Sequence, residues 1–538
     1  MSASETYDYI VVGAGSAGCV LANRLTADPR NTVLLVEAGG RDDWIWLHIP
    51  IGYLYAIGNP RADWCFKTAS EPGLGGRALA YPRGRVVGGS SAINGMIYMR
   101  GQAADYDGWR QLGLKGWGWD DVLPFFKRHE DHHAGANALH GAGGEWRVER
   151  QRLSWPILDA ARQAAAEIGI PKVDDFNRGD NEGSGYFEVN QRRGRRWSAA
   201  RGFLKPVLKR PNLRLVMGAQ AERLIFEGRR AVGLSYAQGG RSFEARARGE
   251  IVLAAGAIGT PQLLELSGVG RPEILAGLGR EVLHALPGVG ENLQDHLQLR
   301  TIFRVSGART LNVDSHSLVA KALMALDYAL RRRGPMTMAP SQLGLFAKTS
   351  PDFGAANVEF HVQPLSLERF GEPLHDFPAI TISVCNLRPT SCGSCHAASL
   401  EPNAAPIIKP NYLSSDQDVR VAVDSIRLAR RLAAAPALAR YRPDELKPGV
   451  VAQSNSELAA AAGDIGTTIF HPVGTARMGR DDDAGAVTDA RLRVRGLAGL
   501  RVADASVMPR ITSGNTNSPT MMIAEKAAAM ILADAGGR

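Results

Sequence analysis

The sequence predicts an α/β fold, α+β overall, with a Rossmann-like dinucleotide-binding domain interleaved with a second domain of antiparallel sheet backed by helices. Three observations predict it. The first forty residues read as strand, glycine turn, helix, strand and acid. Two later passages, near residues 251 and 500, again run from buried strand through small residues into a helix. Between residues 301 and 464 those signals stop, and alternating strands and an amphipathic helix replace them.

Tyr9-Ile10-Val11-Val12 is a short apolar run rich in β-branched residues, the pattern of a buried strand. It leads into Gly13-Ala14-Gly15-Ser16-Ala17-Gly18, a complete G-x-G-x-x-G, then a helical pattern through Val20, Leu21 and Leu25. Gly13 permits the tight turn, Gly15 lets backbone approach a pyrophosphate, and Gly18 lets helix and strand pack closely. The helix N-terminus presents unpaired N–H groups to phosphate. A second strand, Val33–Val36, ends on Glu37, 19 residues past Gly18, placed to accept bonds from ribose hydroxyls. An acid there disfavours a 2′-phosphate and leaves NAD and FAD both open.

An NAD enzyme normally continues with a second Rossmann half. Here Pro82 to Gly101 follows instead, a run of small residues around Asn94 that suits backbone pressed along a flat ligand. Ile251–Pro261 reads as a strand, a glycine turn and a helix with Thr260 as N-cap and Pro261 in the first turn, ending near Ser267-Gly268. Leu500–Ser506 is a strand ending in Asp504 and small residues. Ser513–Pro519 then enters an apolar helix reaching about Ala533, with Ser518 as N-cap and Pro519 first.

Composition sets outer bounds. A chain of 538 residues exceeds one ordinary domain. With 45% hydrophobic and 22% charged residues it reads as globular, and its 60 glycines sit among apolar runs rather than in linkers. The formal charge of +9 is spread out; Arg192–Arg196 and Arg331–Arg333 are short and lack interleaved aromatics, which argues against nucleic-acid binding. Peripheral contact with anionic lipid is the better use of that charge. Five cysteines, an odd number, argue against a disulfide framework. With no leader at the start and no membrane-length apolar run, the expectation is a reduced, cytoplasmic protein, at most peripheral to the inner face of the membrane.

Taken together, the N-terminal glycine motif, Gly84–Gly101, Gly256–Gly270, His471-Pro472-Val473-Gly474-Thr475-Ala476-Arg477-Met478-Gly479 and Asp504–Ala527 resemble the glucose–methanol–choline (GMC) family of FAD-dependent oxidoreductases. The similarity runs from residue 7 to about 533 and is nearest to the bacterial choline dehydrogenase-like and aliphatic alcohol dehydrogenase branch. It implies FAD rather than NAD. It also implies FAD contacts at Gly13, Gly15, Ser16, Ala17, Gly18, Glu37 and Ala38, then at Val87, Gly89, Ser90, Asn94, Gly95, Met96 and Ile97. Later contacts fall on Ala221, Ala255, Gly256, Asp504, Ala505, Asn515 and Thr516. The expected FAD-binding domain spans 1–150, 190–300 and 465–538; the substrate domain spans 151–189 and 301–464.

Two departures matter. Some members tether FAD through a histidine where this chain has Ile93, so FAD is expected to be non-covalent. Choline-specific members hold a carboxylate where an approximate alignment places Gln342, and a neutral amide cannot neutralise a buried cation. The resemblance therefore implies oxidation of an uncharged primary alcohol to the aldehyde, with hydride passing from the carbinol carbon to flavin N5. Electrons then go to a quinone-type acceptor or oxygen. Its catalytic pair is His471 and Asn515, 44 residues apart. Histidine titrates near neutrality and suits the hydroxyl proton. An Asn amide donates to the oxygen without competing as a base. The resemblance also turns the N-terminus of the last helix toward the flavin. The alternatives are choline dehydrogenase-like activity, a non-redox flavin lyase or decarboxylase, and a flavoprotein subunit with no substrate of its own.

Other features are weighed as structural. Cys392-Gly393-Ser394-Cys395 and its neighbours Cys385 and His396 lack a second metal-spaced pair, and no metal site is expected. His129, His132 and His133 read as a solvated face of one helix. Val358–Val362 and Ile380–Val384 alternate like half-buried strands. Ser414 and Gln417 suggest a capping box opening a helix through Val419, Val423, Ile426 and Leu432. His361 and Phe470, with Gln342, are the candidate substrate contacts.

Overall fold

The computed structural model describes residues 5–368 and 372–536. The first sheet is built on the strand Glu5–Val12. It pairs in parallel with Val33–Glu37 on one side and Arg241–Leu253 on the other, and Leu213–Met217 extends it beyond Val33–Glu37. Arg241–Leu253 is shared. Its first half pairs antiparallel with Arg230–Gln238, and its last three residues pair in parallel with Leu500–Val502. Residues from three distant stretches therefore meet in one sheet. Val33–Glu37 is buried throughout, as expected of a parallel strand covered on both faces.

The turn after the first strand is dictated by crowding. Gly13 has φ +99°, and a Cβ there would sit 2.6 Å from the Ala254 carbonyl oxygen; a Cβ on Gly18 would lie 1.8 Å from that of Gly13. Only glycine lets the helix Ser16–Leu25 pack this tightly on the strand.

The second sheet is antiparallel, ordered Asp444–Lys447, Leu297–Arg304, Ala379–Asn386, Val358–Gln363, Leu343–Ala347, Gly183–Tyr186, with Gly466–Thr468 on the start of Leu297–Arg304. These strands do not face water as alternation suggests. Val358–Gln363 is buried at every position. One face packs under the helices Pro156–Glu167 and Asp416–Ala433, while the polar side chains of Gln298, His361 and Gln363 line a cavity between the sheets.

Several local expectations are corrected. The helix after Leu253 starts at Gly256, not Thr260. Pro261 lies inside it and cannot donate to the Ala257 carbonyl, which instead accepts from Thr475 Oγ1 at 2.6 Å. The last helix begins at Asn517, so Ser518 and Pro519 sit within its first turn. The cap of Asp416–Ala433 is Ser415, not Ser414. Its Oγ accepts from the Asp418 N–H at 3.1 Å, while the Asp418 carboxylate takes the N–H groups of Thr390 and Ser391.

The helix Trp119–His129 stops at His129, and Glu130–His132 is a strand. The histidines are not a solvated face. His129 is buried beside Glu525, and His132 and His133 both reach Glu188 Oε1 at 2.8 Å. Of the Arg192–Arg196 cluster, Arg196 is buried and donates to the Asn94 backbone carbonyl at 2.6 Å. Among the described residues no helix is long and apolar enough to cross a membrane.

Candidate active site

A cavity of about 310 Å3 runs from the first glycine turn to His471 and Asn515. At the first end it is walled by Gly13, Gly15, Ser16, Ala17, Glu37 and Ala38, then by Gly89, Ser90, Asn94, Gly95, Met96 and Ile97. Ala221, Ala255, Gly256, Asp504, Ala505 and Thr516 also line it. Two of the expected contacts do not. Gly18 is spent on packing the helix against Gly13, and Val87 turns into the hydrophobic core.

The residues present fit a flavin dinucleotide on three observations. No side chain caps the helix at Gly15 and its first turn holds no acid, so its N–H groups are left for an anion. The backbones of Gly15 and Gly89 approach so closely that a Cβ on Gly89 would lie 2.6 Å from the Gly15 Cα, which keeps both chains flat against the cavity. Asn515 Oδ1 and Asn517 Nδ2 are buried at the wall without a protein partner, and both residues line the cavity.

Glu37 does more than the sequence suggests. Its two carboxylate oxygens accept the N–H groups of Ala14 and Gly39, each at 2.8 Å. Burial raises its pKa to about 7, against the two backbone bonds that favour the carboxylate. Asp504 similarly ties the Gly256 N–H (2.8 Å) and the Thr260 hydroxyl (2.7 Å), fixing the second glycine turn.

At the other end the fold brings the catalytic candidates together. Asn515 Nδ2 lies 3.0 Å from His471 Nε2, and His471 is 7% exposed. His471 Nδ1 lies 3.1 Å from Nδ1 of His296, a fully buried residue. His296 Nε2 is 3.2 Å from the Leu387 carbonyl, which can only accept, so that nitrogen carries hydrogen. Burial holds His296 below the usual histidine range, hence neutral, which leaves its Nδ1 as an acceptor. His471 must then carry its proton on Nδ1 and present the Nε2 lone pair to Asn515 and the cavity. Burial first, then His296, His361 and Arg83, push the His471 pKa well below its ordinary value.

The backbone at His471 is fixed by Asp295. Its Oδ1 accepts the His471 N–H at 2.8 Å; its Oδ2 accepts from Tyr81, Tyr412 and Thr468 at 2.9, 2.5 and 2.6 Å. Phe470 lines the cavity with φ +70°, a left-handed conformation held by Arg83 on its carbonyl at 2.6 Å.

His361 lines the cavity as expected, but Gln342 does not. Its amide folds back onto the Ala339 carbonyl, one position before the strand Leu343–Ala347, and the wall there is made by Pro340 and Ser341. The sequence reading missed His296, Asp295, Arg83, Gln298 and Gln363. The available signal was Gln294-Asp295-His296, a polar triplet just before the strand Leu297–Arg304.

Residues 7–298 and 389–524 match the N- and C-terminal parts of the GMC oxidoreductase family. The chain belongs to this family. The GMC oxidoreductase described here is 41% identical over 530 residues to an alcohol dehydrogenase [acceptor] of Pseudomonas putida, covering 98% of this chain and 96% of that protein. It is 40% identical to the mitochondrial choline dehydrogenase of Homo sapiens, covering 98% and 90%. Among solved structures it resembles pyridoxine 4-oxidase from Mesorbium loti (TM-score 0.88, 32% identity, 97% and 98% covered). It also resembles a formate oxidase of Aspergillus oryzae (TM-score 0.92, 26% identity, 99% of each chain).

Cys392 and Cys395 are free thiols in this GMC oxidoreductase. Cys395 is buried under the Ile258 carbonyl, and the next residue on its strand, His396, pairs with Glu265 at 2.6 Å.

Proposed function

We propose that this GMC oxidoreductase oxidises an uncharged primary alcohol to an aldehyde with non-covalently bound FAD, and delivers the electrons to a quinone-type acceptor or oxygen. The observation that carries the reading is the His471–Asn515 contact of 3.0 Å on the wall of the cavity that reaches the glycine turn. FAD, when bound, supplies the acceptor for the hydride. The other roles belong to the chain. His471 Nε2, deprotonated in the tautomer set by His296, takes the hydroxyl proton once the alcohol replaces the Asn515 N–H on its single lone pair. The second N–H of the Asn515 amide holds the oxygen as charge develops on it. Asp295 holds the backbone of His471 and so aims its ring. Ile93, buried at the wall, has no atom to form a bond to FAD.

The charge of the wall favours a neutral substrate. The carboxylates that line the cavity are Glu37 and Asp504, both committed to backbone groups, while Arg83 lines it near Phe470. A quaternary ammonium would meet a cation and, among the described residues of the wall, no free acid, which argues against choline. The name of the Pseudomonas putida relative, an alcohol dehydrogenase [acceptor], supports an alcohol as the substrate. Flavin bleaching by an alcohol separates this reading from a non-redox lyase or decarboxylase, which would leave the flavin oxidised.

The test is anaerobic mixing with a panel of primary alcohols, followed by admission of air or a quinone. Loss of flavin absorbance with alcohols in the native protein, and not in His471→Ala, is the expected result. A native protein whose flavin is not bleached by any of them would overturn the reading.

A further inference from the structure

The helix Leu318–Arg331 turns a row of large apolar side chains away from the protein. Leu318, Val319, Leu323, Leu326 and Leu330 are 82%, 70%, 61%, 55% and 74% exposed. At about 100° per residue they span an arc of roughly 140°. The residues that anchor the helix, Met324 packed on the apolar core of the antiparallel sheet and Tyr328 bonded to the Gly194 carbonyl at 3.1 Å, lie on the opposite side. Such a row is far beyond the scattered apolar residues of an ordinary surface.

Positive charge flanks it. Gly194 is the turn of a hairpin on which Arg192, Arg193 and Arg195 are exposed. A Cβ on Gly194 would meet the Arg332 carbonyl at 2.5 Å, so this hairpin touches the end of the helix, where Arg331, Arg332 and Arg333 follow in series. Against these six arginines the helix carries one acid, Asp327, 3.6 Å from Arg331.

The same region leads to the cavity. The turn Pro335–Thr337, just past the helix, packs on Pro50–Gly52, and the segments that follow each of them supply Pro340 and Ser341, and Tyr53 and Ile57, to the cavity wall. Beside Tyr53, Trp46 and Tyr55 stack with centroids 4.1 Å apart, and Ile45 and Tyr55 are 54% and 52% exposed. Amphipathic rings of this kind favour a membrane–water boundary.

We propose that this face is a docking surface for an anionic phospholipid bilayer, with Leu318 to Leu330 in the interfacial layer and the arginines on the headgroups. Charge decides for lipid over a second copy of the chain. A two-fold contact would bring together two faces of like net charge, each with six arginines against one helix acid, whereas anionic headgroups neutralise them. The phase that holds apolar alcohols and quinones would then adjoin the cavity wall. That consequence rests on the proposed reaction; the docking does not.

The experiment is co-sedimentation of the full-length, FAD-loaded protein with vesicles of mixed phosphatidylcholine and phosphatidylglycerol, and with phosphatidylcholine alone. Binding to the mixed vesicles, weakened about tenfold or more without the anionic lipid or at high salt, is expected. Leu323→Glu with Leu326→Glu should cut binding about tenfold or more at unchanged flavin content and melting temperature. Arg331→Gln with Arg333→Gln should weaken it less and flatten the salt dependence. No binding to mixed vesicles overturns the proposal, as does binding that the leucine variants leave intact. A dimer in light scattering that the leucine variants convert to monomer, without vesicle binding, overturns it in favour of self-association.

Discussion

Replacing His296 by Phe tests the reasoning about the catalytic base without touching the base. His296 Nδ1 is the acceptor, at 3.1 Å, for the proton on His471 Nδ1, and it is fully buried, so water cannot replace it. Phe fills the space and removes the acceptor. His471 then either keeps an unpaired buried N–H or moves its proton to Nε2 and loses the lone pair facing the cavity. Leaving a buried donor unpaired costs about 1–3 kcal/mol. If that cost falls on the reactive tautomer, the rate of substrate oxidation drops roughly 5- to 150-fold. His296→Asn, whose Oδ1 still accepts, should recover most of the loss. The assay is stopped-flow bleaching of flavin absorbance by saturating alcohol under anaerobic conditions, with circular dichroism and flavin content as controls. A Phe variant that is folded, yellow and as fast as the parent would refute the tautomer argument.

Other consequences are open to direct measurement. Glu37→Gln puts an amide NH2 against either the Ala14 or the Gly39 N–H, both now 2.8 Å from a carboxylate oxygen, and should weaken FAD binding about tenfold or more, read as flavin-to-protein absorbance. Gly18→Ala should destabilise by about 3 kcal/mol or more despite alanine's better helix propensity, because its Cβ would lie 1.8 Å from the Gly13 carbonyl oxygen. Gly40→Ala, with open space around its Cβ, should leave the denaturation midpoint nearly unchanged. Acid precipitation should leave a colourless pellet and a yellow supernatant, since Ile93 offers FAD no tether.

The pH profile follows from three histidines held below their ordinary range mainly by burial: His471, His296 and His48, the last at about 4. Below about 6.5 the unfolded chain binds protons at these sites that the native chain does not. Their contribution is therefore complete above that pH and is lost on acidification; Glu37, raised to about 7, works the other way over the same range, and three histidines against one carboxylate should lower the melting temperature from pH 6.5 downward. His140, raised to about 9 by its bonds to Asp175 and Glu130 against the opposing burial, works in the other direction and loses its contribution as pH rises through 9. A melting temperature that rises on acidification below 6.5 contradicts these assignments.

The sequence by itself determined the local pieces. The strand Val33–Glu37, the glycine turn and the first helix were legible because β-branched runs, the G-x-G-x-x-G spacing and a closing acid each constrain backbone over a few residues. His471 and Asn515 could be chosen from their motifs. What meets what was decided by tertiary structure. Gln342 was misplaced because its rotation depends on a neighbouring carbonyl, and Val87 because the side of a loop that faces a ligand is set by its packing. The His129–His133 segment looked polar and solvated, yet the carboxylates that allow its burial, Glu525 and Glu188, lie far along the chain. His296 escaped notice for the same reason: the ring it orients is 175 residues away, and the pairing of Leu297–Arg304 with Gly466–Thr468, continued by Gln294 with Val473, brings the two imidazoles together. Propensity and spacing act over a few residues. Proton location and electrostatics depend on burial and on partners across the fold, which local sequence does not encode.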